Sequence, residues 1–449
     1  MRSMLRSVST EQLPRDTPHV PVAIVGAGAC GLVAALMLRD AGVDCVVLER
    51  DAQPSGSTAL SSGFIPAAGT LAQKAAGVQD SAAQFAADIQ AKAKGQAATY
   101  LVASYIDSMP ATLDFLHEKH GFDWQVLDGF LYPGHSVRRM HSLPEKTGAA
   151  LMARLHNAAS RVGVDLLTQA QVSGLHVDAQ QRITGLAYTR PDGSQESLRC
   201  DALILACNGF GGNTEMVREL LPEMAQATYA GHAGNDGSAI AWGRALGARL
   251  ADLQGYQGHG SWVIPQGILM SWAVMMQGGM QLNAQGQRFH DERQGYSEAA
   301  VHVLEQPGGI AWNVMDERLL ALARSFPDFV QAQQAGALRK ADTAEALAAL
   351  IGCKLESLSA DLARLQAPYY AVKVTGALFH TQGGLDIDAQ CRVLRSSGEP
   401  FSNLLAAGGA ARGVSGNAVW GYLSGNGLLS AVAGGAIAAQ TARLLVANS

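Results

Sequence analysis

The 449-residue sequence contains few cysteines and little charge. None of its six cysteines forms the C-x-x-C spacing of zinc sites, iron–sulfur clusters or c-type haem attachment, so no metal site is predicted. The scattered thiols are typical of a reduced, cytoplasmic protein. Charged residues make up 16% of the chain, the formal net charge is -5 and there is no basic run, so nothing favours nucleic-acid binding.

Long apolar runs are also absent. No stretch of about 18 uninterrupted apolar residues occurs, which argues against a membrane span. Residues 1–17 carry Arg2, Arg6 and Arg15 but no apolar h-region, so no secretory signal is expected. The sequence is instead rich in glycine, with 50 residues, and in hydrophobic side chains, at 48%. This composition and length are typical of a large α/β enzyme with about two or three domains.

A strand–turn–helix–strand pattern begins about twenty residues into the chain. Residues 20–25 form an apolar run, a G-x-G-x-x-G turn spans Gly26 to Gly31, residues 32–40 have helical spacing, and a second apolar run at 43–48 ends at Glu49. The first glycine of such a unit permits a tight turn, the second lets the backbone approach a pyrophosphate, and the third lets helix and strand pack closely. The helix N-terminus then faces the phosphates. The pattern predicts a dinucleotide site in which Glu49 accepts the ribose hydroxyls.

A loop of small and hydroxyl-bearing residues follows at 54–70. It resembles the G-G-N-S-x-x-S-G-G-x-N-A-A-G-T loop of fumarate reductase-like flavoproteins, which lies along the pyrophosphate and flavin. The resemblance implies FAD rather than NAD, with an ordinary Ser/Gly surface loop as the alternative. Covalent-flavin members of the family carry a histidine in this loop, and none is present here, so non-covalent FAD is expected.

Later segments extend the resemblance over residues 20–445. Residues 206–213 resemble L-A-T-G-G-F-G-x-N, and residues 235–237 resemble T-G-D-G with a one-residue shift. The family, which includes fumarate reductases, urocanate reductases and 3-ketosteroid dehydrogenases, implies an α/β fold. A discontinuous Rossmann-like FAD-binding domain at 18–246 and 372–449 would enclose an inserted α+β capping and substrate domain at 247–371. The residues assigned to FAD are Gly26, Gly28, Ala29, Gly31, Glu49, Arg50, Ser57, Thr58, Ser61, Ser62, Gly63, Val172, Asn208, Gly209, Asp236, Gly409, Asn426 and Leu428.

Two tyrosines stand where the fumarate reductases of this family have arginines. Residues 287–296 resemble G-x-R-F-x-N-E, with Tyr296 at the position of the arginine that hands a proton to the substrate. Residues 421–426 resemble N-R-L-G-G-N, with Tyr422 at the position of the arginine that clamps a substrate carboxylate. A guanidinium holds a carboxylate by two charge-assisted hydrogen bonds, whereas a phenol donates one hydrogen bond to a neutral carbonyl. The exchange favours a small apolar ketone over a dicarboxylate.

The ketosteroid dehydrogenase branch of the family matches these tyrosines best. There a tyrosine in R-F-x-N-E-x-x-P-Y is the base, which corresponds to Tyr296, although Gly295 stands where the family has proline. A second tyrosine holds the ketone, as Tyr422 would do with Ser424 and the amides of residues 425 and 426. The resemblance implies a desaturase that places a double bond α,β to a ketone, with hydride passing to flavin N5 and the α-proton to Tyr296.

Other residues leave two alternatives open. His259 and His380 resemble carboxylate contacts of the fumarate reductases, so a reductase acting on a carboxylate remains possible. Arg293 would be the proton-donating arginine if its loop were one residue out of register, whereas Arg288 and Glu292 are interpreted as a structural ion pair. The second alternative is a flavin electron-transfer subunit that needs a partner, and no haem or cluster motif supports it. The sequence does not identify the electron acceptor.

The remaining periodicity predicts further elements. Strands are expected at 162–167, 171–177, 183–189 and 198–206, and helix over 335–366. The apolar run from Trp262 to Met276 is interpreted as core and flavin wall, and any part of it that faces substrate would require an apolar substrate.

Overall fold

The computed structural model describes residues 7–447, without the side chains of residues 359 and 360. Residues 1–6, which form part of the segment searched for a secretory signal, lie outside the described residues. The strands are β1 (Ser7–Ser9), β2 (His19–Val25), β3 (Cys45–Leu48), β4 (Ile65–Pro66), β5 (Gln125–Val126), β6 (Met140–Ser142), β7 (Asp165–Leu167), β8 (Gln171–Val177), β9 (Ile183–Thr189), β10 (Gln195–Leu205), β11 (Thr228–Tyr229), β12 (Leu250–Ala251), β13 (Tyr256–Val263), β14 (Ile268–Leu269), β15 (Met280–Leu282), β16 (Ile310–Met315), β17 (Leu338–Ala341), β18 (Tyr369–Thr381), β19 (Gly384–Leu385), β20 (Arg392–Leu394) and β21 (Pro400–Ala406).

Helices cover the sheets and begin at several of the predicted site residues. Short 3₁₀ turns occur at Pro222–Met224, Pro307–Gly309, Gly408–Ala410 and Val419–Gly421. The α-helices are α1 (Ala29–Asp40), α2 (Gly56–Ala59), α3 (Leu71–Ala75), α4 (Ala82–Lys92), α5 (Thr99–His120), α6 (Gly148–Arg161), α7 (Thr214–Leu220), α8 (Ser238–Leu246), α9 (Ala273–Met276), α10 (Tyr296–Leu304), α11 (Glu317–Ala323), α12 (Pro327–Gln334), α13 (Ala344–Ile351), α14 (Leu355–Leu362) and α15 (Asn426–Ala447).

The larger sheet contains the predicted dinucleotide unit. Its order is β1-β8-β9-β10-β2-β3-β7, with β21 pairing with β10 and β20 with β21. Strands β10, β2, β3 and β7 run parallel. Strands β2 and β3 and the last four residues of β10 are almost continuously apolar, because the centre of a parallel sheet is buried on both faces. Helices α1 and α15 pack on this sheet and on each other, which confirms the Rossmann-like half of the expected α/β fold.

The second sheet is built around one long strand, β18. Its order is β14-β13-β18-β16-β15, with β11 and β17 also pairing with β18. The pairings of β18 with β13, β16 and β17 are antiparallel, which fits the expected inserted α+β unit. Since β18 runs from Tyr369 to Thr381, a boundary at 371/372 would divide a single strand. We propose that the substrate domain includes β18 and that the chain returns to the first sheet after it.

Two expectations about local structure differ from the fold. The segment at 335–366, predicted as helix, contains strand β17 before α13 and α14. Residues 338–341 are extended because they pair with the edge of β18, so tertiary pairing overrides their helical composition. The strand predicted at 162–167 begins only at Asp165, since Val162 is still the C-cap of α6. Strand β1, which had no prediction, pairs parallel with β8.

Helix α15 is apolar along most of its length. Among the described residues it is the one helix that meets the length and hydropathy criteria for a membrane span, with a mean hydropathy of 1.4. Within the fold, 67% of that window is buried. The core helix of a globular domain meets the same criteria, and α15 packs against α1 and α5.

Candidate active site

Two of the three glycines in the predicted turn are required by the fold itself. Gly26 has φ +104°, and a Cβ there would lie 2.7 Å from the Ala206 carbonyl oxygen. A Cβ on Gly31 would lie 1.9 Å from the Gly26 carbonyl oxygen. Gly28 is different, because its φ is -75° and the only atom that a Cβ would approach is Thr58 Oγ1, at 3.7 Å. Protein packing does not explain Gly28, whereas a ligand passing over the N-terminus of α1 does.

Gly28 lies in a glycine-rich cleft of about 850 Å³, part of it open to solvent, between the ends of β2, β3 and β10. Glu49 lies on its wall with Oε2 accepting the Ala27 N–H at 2.9 Å and Oε1 accepting the Asp51 N–H at 3.0 Å. Arg50 donates to the Gly234 carbonyl oxygen at 3.0 Å and lies 3.5 Å from Asp236 Oδ2. The open helix end, the acid and the arginine suit the phosphates, ribose and base of a dinucleotide.

Most of the residues assigned to FAD line this cleft or a second cleft, lined by aromatic side chains, that adjoins it. Gly31, Gly209 and Asn426 line neither cleft. Gly31 packs on Gly26, and Gly209 packs on Thr381, since a Cβ on Gly209 would lie 2.0 Å from Thr381 Oγ1. Asn426 is fully buried, and its Nδ2 donates to Ser415 Oγ at 2.9 Å. The assigned residues that do line the two clefts are Gly26, Gly28, Ala29, Glu49, Arg50, Ser57, Thr58, Ser61, Ser62, Gly63, Val172, Asn208, Asp236, Gly409 and Leu428.

The aromatic cleft encloses about 1080 Å³, part of it open to solvent, and shares Ser57, Thr58, Asn208, Gly409 and Ala431 with the glycine-rich cleft. In the described part of the chain, no Asp, Glu, Lys or Arg side chain lines it. The side chains that define it are Phe64, Tyr132, Met140, Gln257, His259, Leu269, Ser271, Trp272, Tyr296, Phe379, His380, Tyr422 and Ser424.

Tyr296 and Tyr422 meet in this cleft from segments that are distant in sequence. Tyr296 is the first residue of α10, and Tyr422 follows the 3₁₀ turn that precedes α15. Their rings lie 6.1 Å apart in an edge-to-face arrangement. Gly295 has φ +144°, which a proline fixed near -65° does not adopt, so the glycine that departs from the family pattern is built into this turn.

Burial controls the protonation of both phenols. It raises the pKa of Tyr296 well above its usual value, and the neighbouring Tyr422 raises it further, although a hydrogen bond with the Ser424 side chain opposes the shift. Burial also raises the pKa of Tyr422, against hydrogen bonds from the Gly427 and Gly425 amides. Both tyrosines are therefore neutral proton donors near pH 7.

The amides beside Tyr422 differ from those expected. The Gly427 N–H donates to Tyr422 Oη at 3.4 Å, and the amide of Gly425 also contacts this hydroxyl. The Asn426 N–H donates to the Leu423 carbonyl oxygen at 3.0 Å and does not reach the cleft. The Gly425 amide therefore lies at the Tyr422 hydroxyl, whereas the Asn426 amide is engaged by the Leu423 carbonyl oxygen, so a role of these amides in holding a ketone stays a prediction.

His259 is buried against Tyr296. The two rings stack with centroids 4.6 Å apart and planes 19° apart. His259 Nδ1 accepts the Ser261 N–H at 3.1 Å, which leaves the hydrogen of the neutral ring on Nε2. Burial lowers the pKa of His259 to about 3. His259 is a neutral donor rather than a cation.

His380 lies on the other side of Tyr422, with ring centroids 5.8 Å apart. Its Nδ1 lies 3.0 Å from the Thr381 carbonyl oxygen, which can only accept, so Nδ1 carries the hydrogen. Gln382 Nε2 lies 3.1 Å from Nδ1 and 3.3 Å from Nε2, and with the hydrogen on Nδ1 it is Nε2 that can accept from this amide. Burial lowers the pKa of His380. A neutral ring in this tautomer offers a carboxylate no N–H from Nε2.

The structure adds aromatic residues that sequence reasoning missed. Tyr132 stands edge-on to Tyr296 at 6.5 Å, and burial raises its pKa to about 12 against a hydrogen bond with Ser271. Phe379 lies 5.6 Å from His259. Tyr132 lies in a loop two residues after Phe130, and no spacing in the sequence distinguishes it from a surface residue. Trp272, expected as core or flavin wall, does line the cleft.

The arginines of the 288–293 segment stay outside the aromatic cleft. Arg288 Nε donates to Glu292 Oε1 at 3.1 Å, which is the structural ion pair expected from the sequence. Arg293 is exposed and lines a separate surface pocket together with Arg288 and Arg364. Arg293 therefore does not reach the aromatic cleft, which argues against the alternative in which it replaces Tyr296 as the proton donor.

Comparison with known proteins identifies relatives over nearly the whole chain. The model of the FAD binding domain family matches residues 21–428. A probable fumarate reductase of Shewanella frigidimarina is 28% identical over 463 residues, covering 96% of this chain and 75% of the relative. A urocanate reductase of Eggerthella lenta is 26% identical over 443 residues, covering 90% of this chain and 72% of the relative.

Solved structures show the same architecture. The open conformation of a flavocytochrome c3 fumarate reductase superposes with a TM-score of 0.81 at 26% identity, covering 96% of this chain and 79% of that one. A 3-ketosteroid-Δ4-(5α)-dehydrogenase from Rhodococcus jostii superposes with a TM-score of 0.77 at 24% identity, covering 97% of this chain and 99% of that one. The second likeness is evidence of the fold alone.

Proposed function

The chain belongs to the family of the FAD binding domain, and from this premise we propose that it is an FAD-dependent oxidoreductase acting on a carbon–carbon bond α,β to the carbonyl of a neutral, apolar ketone. The observation that carries the proposal is the aromatic cleft. Tyr296 and Tyr422 meet there, and no charged side chain of the described residues lines it. FAD bound along the glycine-rich cleft supplies the capacity to accept or donate a hydride.

Charge argues for a neutral substrate. A carboxylate that leaves water needs a paired charge or several hydrogen bonds, since an unpaired buried charge is strongly unfavourable. His259 and His380 do not supply that charge, because burial lowers both pKa values. The relatives named as fumarate and urocanate reductases support a carboxylate substrate by analogy. The uncharged lining of this cleft favours the ketone.

Tyr422 is proposed to hold the carbonyl oxygen. Its hydroxyl accepts the Gly427 N–H, so its own hydrogen remains free to donate. A donor aimed at an oxygen that gains charge in the transition state lowers the barrier, and one such donor is worth about 2.7–4 kcal/mol in acyl-transfer enzymes. His259 Nε2–H is a second donor in the same cleft, with its ring oriented by the Ser261 amide.

Tyr296 is proposed to exchange the α-proton. As a desaturase base it would accept this proton only after passing its own to another group, because burial keeps the phenol protonated. Desaturation remains the first candidate on the likeness of the tyrosines to the ketosteroid branch. The raised pKa of Tyr296 favours a second candidate, reduction of an α,β-unsaturated ketone, in which Tyr296 donates its proton directly.

Rapid mixing distinguishes the candidates. Oxidised enzyme is mixed with saturated cyclic ketones and with succinate, and dithionite-reduced enzyme with the matching enones and with fumarate. We expect loss of the oxidised-flavin absorbance with cyclic ketones, or its recovery with enones if reduction is the preferred direction. A response to succinate and fumarate alone would reject the neutral carbonyl, and no response to any of them would favour a subunit that depends on a partner.

Non-covalent attachment of FAD is part of the same proposal. The loop at 54–70 contains no histidine, and its Ser57, Ser61 and Gly63 line the aromatic cleft. Acid precipitation should release the yellow cofactor into the supernatant. Flavin retained in the pellet would contradict this.

A further inference from the structure

The segment from Gly134 to Met140 touches the turn that carries Tyr422 and Ser424. His135 Nε2 lies 2.9 Å from the Ser424 carbonyl oxygen. A Cβ on Gly134 would lie 2.7 Å from Leu423 Cδ1, and a Cβ on Gly425 would lie 3.3 Å from Met140 Cε. The turn at 422–425 is therefore packed along its length against one short stretch of chain.

Buried charge holds this stretch in place. Arg139 is fully buried, and its Nε and Nη2 donate to the two carboxylate oxygens of Asp80 at 2.9 and 3.0 Å. Its Nη1 donates to Asp88 Oδ2 at 2.5 Å and to His135 Nδ1 at 3.4 Å. An arginine in a fully buried bidentate pair with Asp80, and in contact with the half-buried Asp88, is rigid, because any displacement leaves a charge unpaired.

These contacts determine the tautomer of His135. A guanidinium can only donate, so His135 Nδ1 accepts and Nε2 carries the hydrogen. The carbonyl oxygen of Ser424 can only accept, so the Nε2–H donates to it. Burial also lowers the pKa of His135 to about 4, which keeps the ring neutral near pH 7. Each contact from Asp80 through Arg139 and His135 to Ser424 therefore pairs a hydrogen-bond donor with an acceptor.

We infer that His135 is a positioning residue for the reaction. It orients the turn at 422–425, so that Tyr422 and Ser424 keep their places relative to Tyr296. The inference rests on the proposed function of those residues. His135 itself does not line the aromatic cleft, and the Ser424 side chain is its link to the Tyr296 hydroxyl.

Three variants of the FAD-loaded enzyme test the inference. His135→Leu removes both hydrogen bonds, whereas His135→Gln retains a donor for Ser424 and an acceptor for Arg139. His141→Leu is the matched control, because His141 is fully buried on β6, contacts Thr70 and the Arg139 carbonyl oxygen, and does not touch the turn. Kinetics use whichever substrate the rapid-mixing panel identifies, and amide hydrogen exchange is followed in peptides covering residues 422–428.

We expect kcat to fall about tenfold or more in His135→Leu, with KM within about threefold of wild type. His135→Gln should recover most of kcat, and His141→Leu should stay within about threefold of wild type. Exchange at 422–428 should accelerate about tenfold in His135→Leu alone. If His135→Leu does not bind FAD, His135→Asn, which is polar but too short to span both partners, takes its place.

The inference is overturned if His141→Leu loses as much kcat as His135→Leu, if His135→Gln fails to recover it, or if exchange accelerates without a change in kcat. Activity restricted to carboxylates would refute the proposed ketone and leave this comparison intact, since the same variants are measured on that substrate. If no substrate is found, hydrogen exchange alone decides, and unchanged exchange at 422–428 in His135→Leu overturns the inference.

Discussion

The two clefts are adjacent and are built in opposite ways. The glycine-rich cleft takes its turn, its helix end and its acid from residues 26–49, and charged Glu49, Arg50 and Asp236 line it. The aromatic cleft takes its walls from segments spread between Phe64 and Tyr422, and no charged side chain of the described chain lines it. The turn, helix end and acid of the first cleft form a local backbone motif, which segments around Asn208, Asp236 and Gly409 complete, whereas the second cleft is an assembly of distant side chains.

The difference separates two kinds of recognition. Backbone amides and a helix end bind phosphates almost independently of the surrounding side chains. A pocket of buried phenols and neutral histidines depends on desolvation, which changes both the strength of hydrogen bonds and the pKa values. Substitutions in the first cleft should therefore alter cofactor binding, and those of the phenols and imidazoles in the second should alter chemistry with the cofactor still bound.

The largest effect is expected from Tyr422→Phe. Loss of one donor to the carbonyl oxygen should lower kcat/KM by about 10²–10³. The bound FAD and its absorbance spectrum should be unchanged, because Tyr422 lies outside the glycine-rich cleft. Steady-state kinetics and flavin content check both parts. Near wild-type turnover would remove Tyr422 from the reaction, and loss of FAD would show that the clefts are not independent.

A matched pair of glycine variants tests the other cleft. Gly31→Ala forces a Cβ to within 1.9 Å of the Gly26 carbonyl oxygen, which should lower the free energy of unfolding of the apoprotein by about 1–3 kcal/mol or more. Gly28→Ala meets no protein atom closer than 3.7 Å, so the apoprotein should keep its stability while FAD binds about tenfold more weakly. Urea unfolding of the apoproteins and FAD titration measure the two effects. Equal stability losses in both would contradict the assignment of Gly28 to a ligand.

Stability should fall with acid because of the buried neutral histidines. Burial lowers the pKa values of His135 and His141 to about 4 and that of His259 to about 3. Below about pH 6.5 the unfolded chain binds protons at these histidines and the native state does not. Their contribution to the free energy of unfolding is therefore complete above pH 6.5 and is lost as the pH falls towards 4. Each histidine should contribute roughly 1 kcal/mol per pH unit in that window.

His259→Gln removes the contribution of His259 to this dependence of stability on pH. The fall in unfolding free energy between pH 6.5 and 5.5 should shrink by roughly 1 kcal/mol relative to wild type. Urea denaturation at the two pH values measures it. An identical fall in the variant would mean that His259 titrates normally and that the aromatic cleft is wetter than its burial indicates.

The smallest effect is expected from Arg50→Met at the rim of the glycine-rich cleft. Arg50 is partly exposed, and its contacts are the Gly234 carbonyl oxygen and Asp236. Its removal should change the unfolding free energy by less than about 1 kcal/mol, since exposed ion pairs contribute little. FAD affinity should fall only a few-fold, and kcat should be unchanged. A large loss of kcat would break the separation between the clefts.

The sequence by itself determined the dinucleotide unit, because its signals are local. The apolar run before Gly26, the helical spacing after Gly31 and the acid at Glu49 each constrain neighbouring backbone, and β2, α1 and β3 form where they indicate. Motif likeness also located Tyr296, Tyr422, His259 and His380, which the fold brings into one cleft.

Only the tertiary structure decided the protonation states and the hydrogen-bonding roles of those side chains. Strand β18 places Phe379 against His259 and His380 against Tyr422. The turn before α15 brings Tyr422 to Tyr296, and a separate loop places Tyr132 edge-on to Tyr296. Burial then raises the pKa values of the phenols and lowers those of the imidazoles, and partners such as the Ser261 amide select the tautomers. Desolvation and hydrogen-bond partners depend on residues distant in sequence, so local sequence spacing does not specify them.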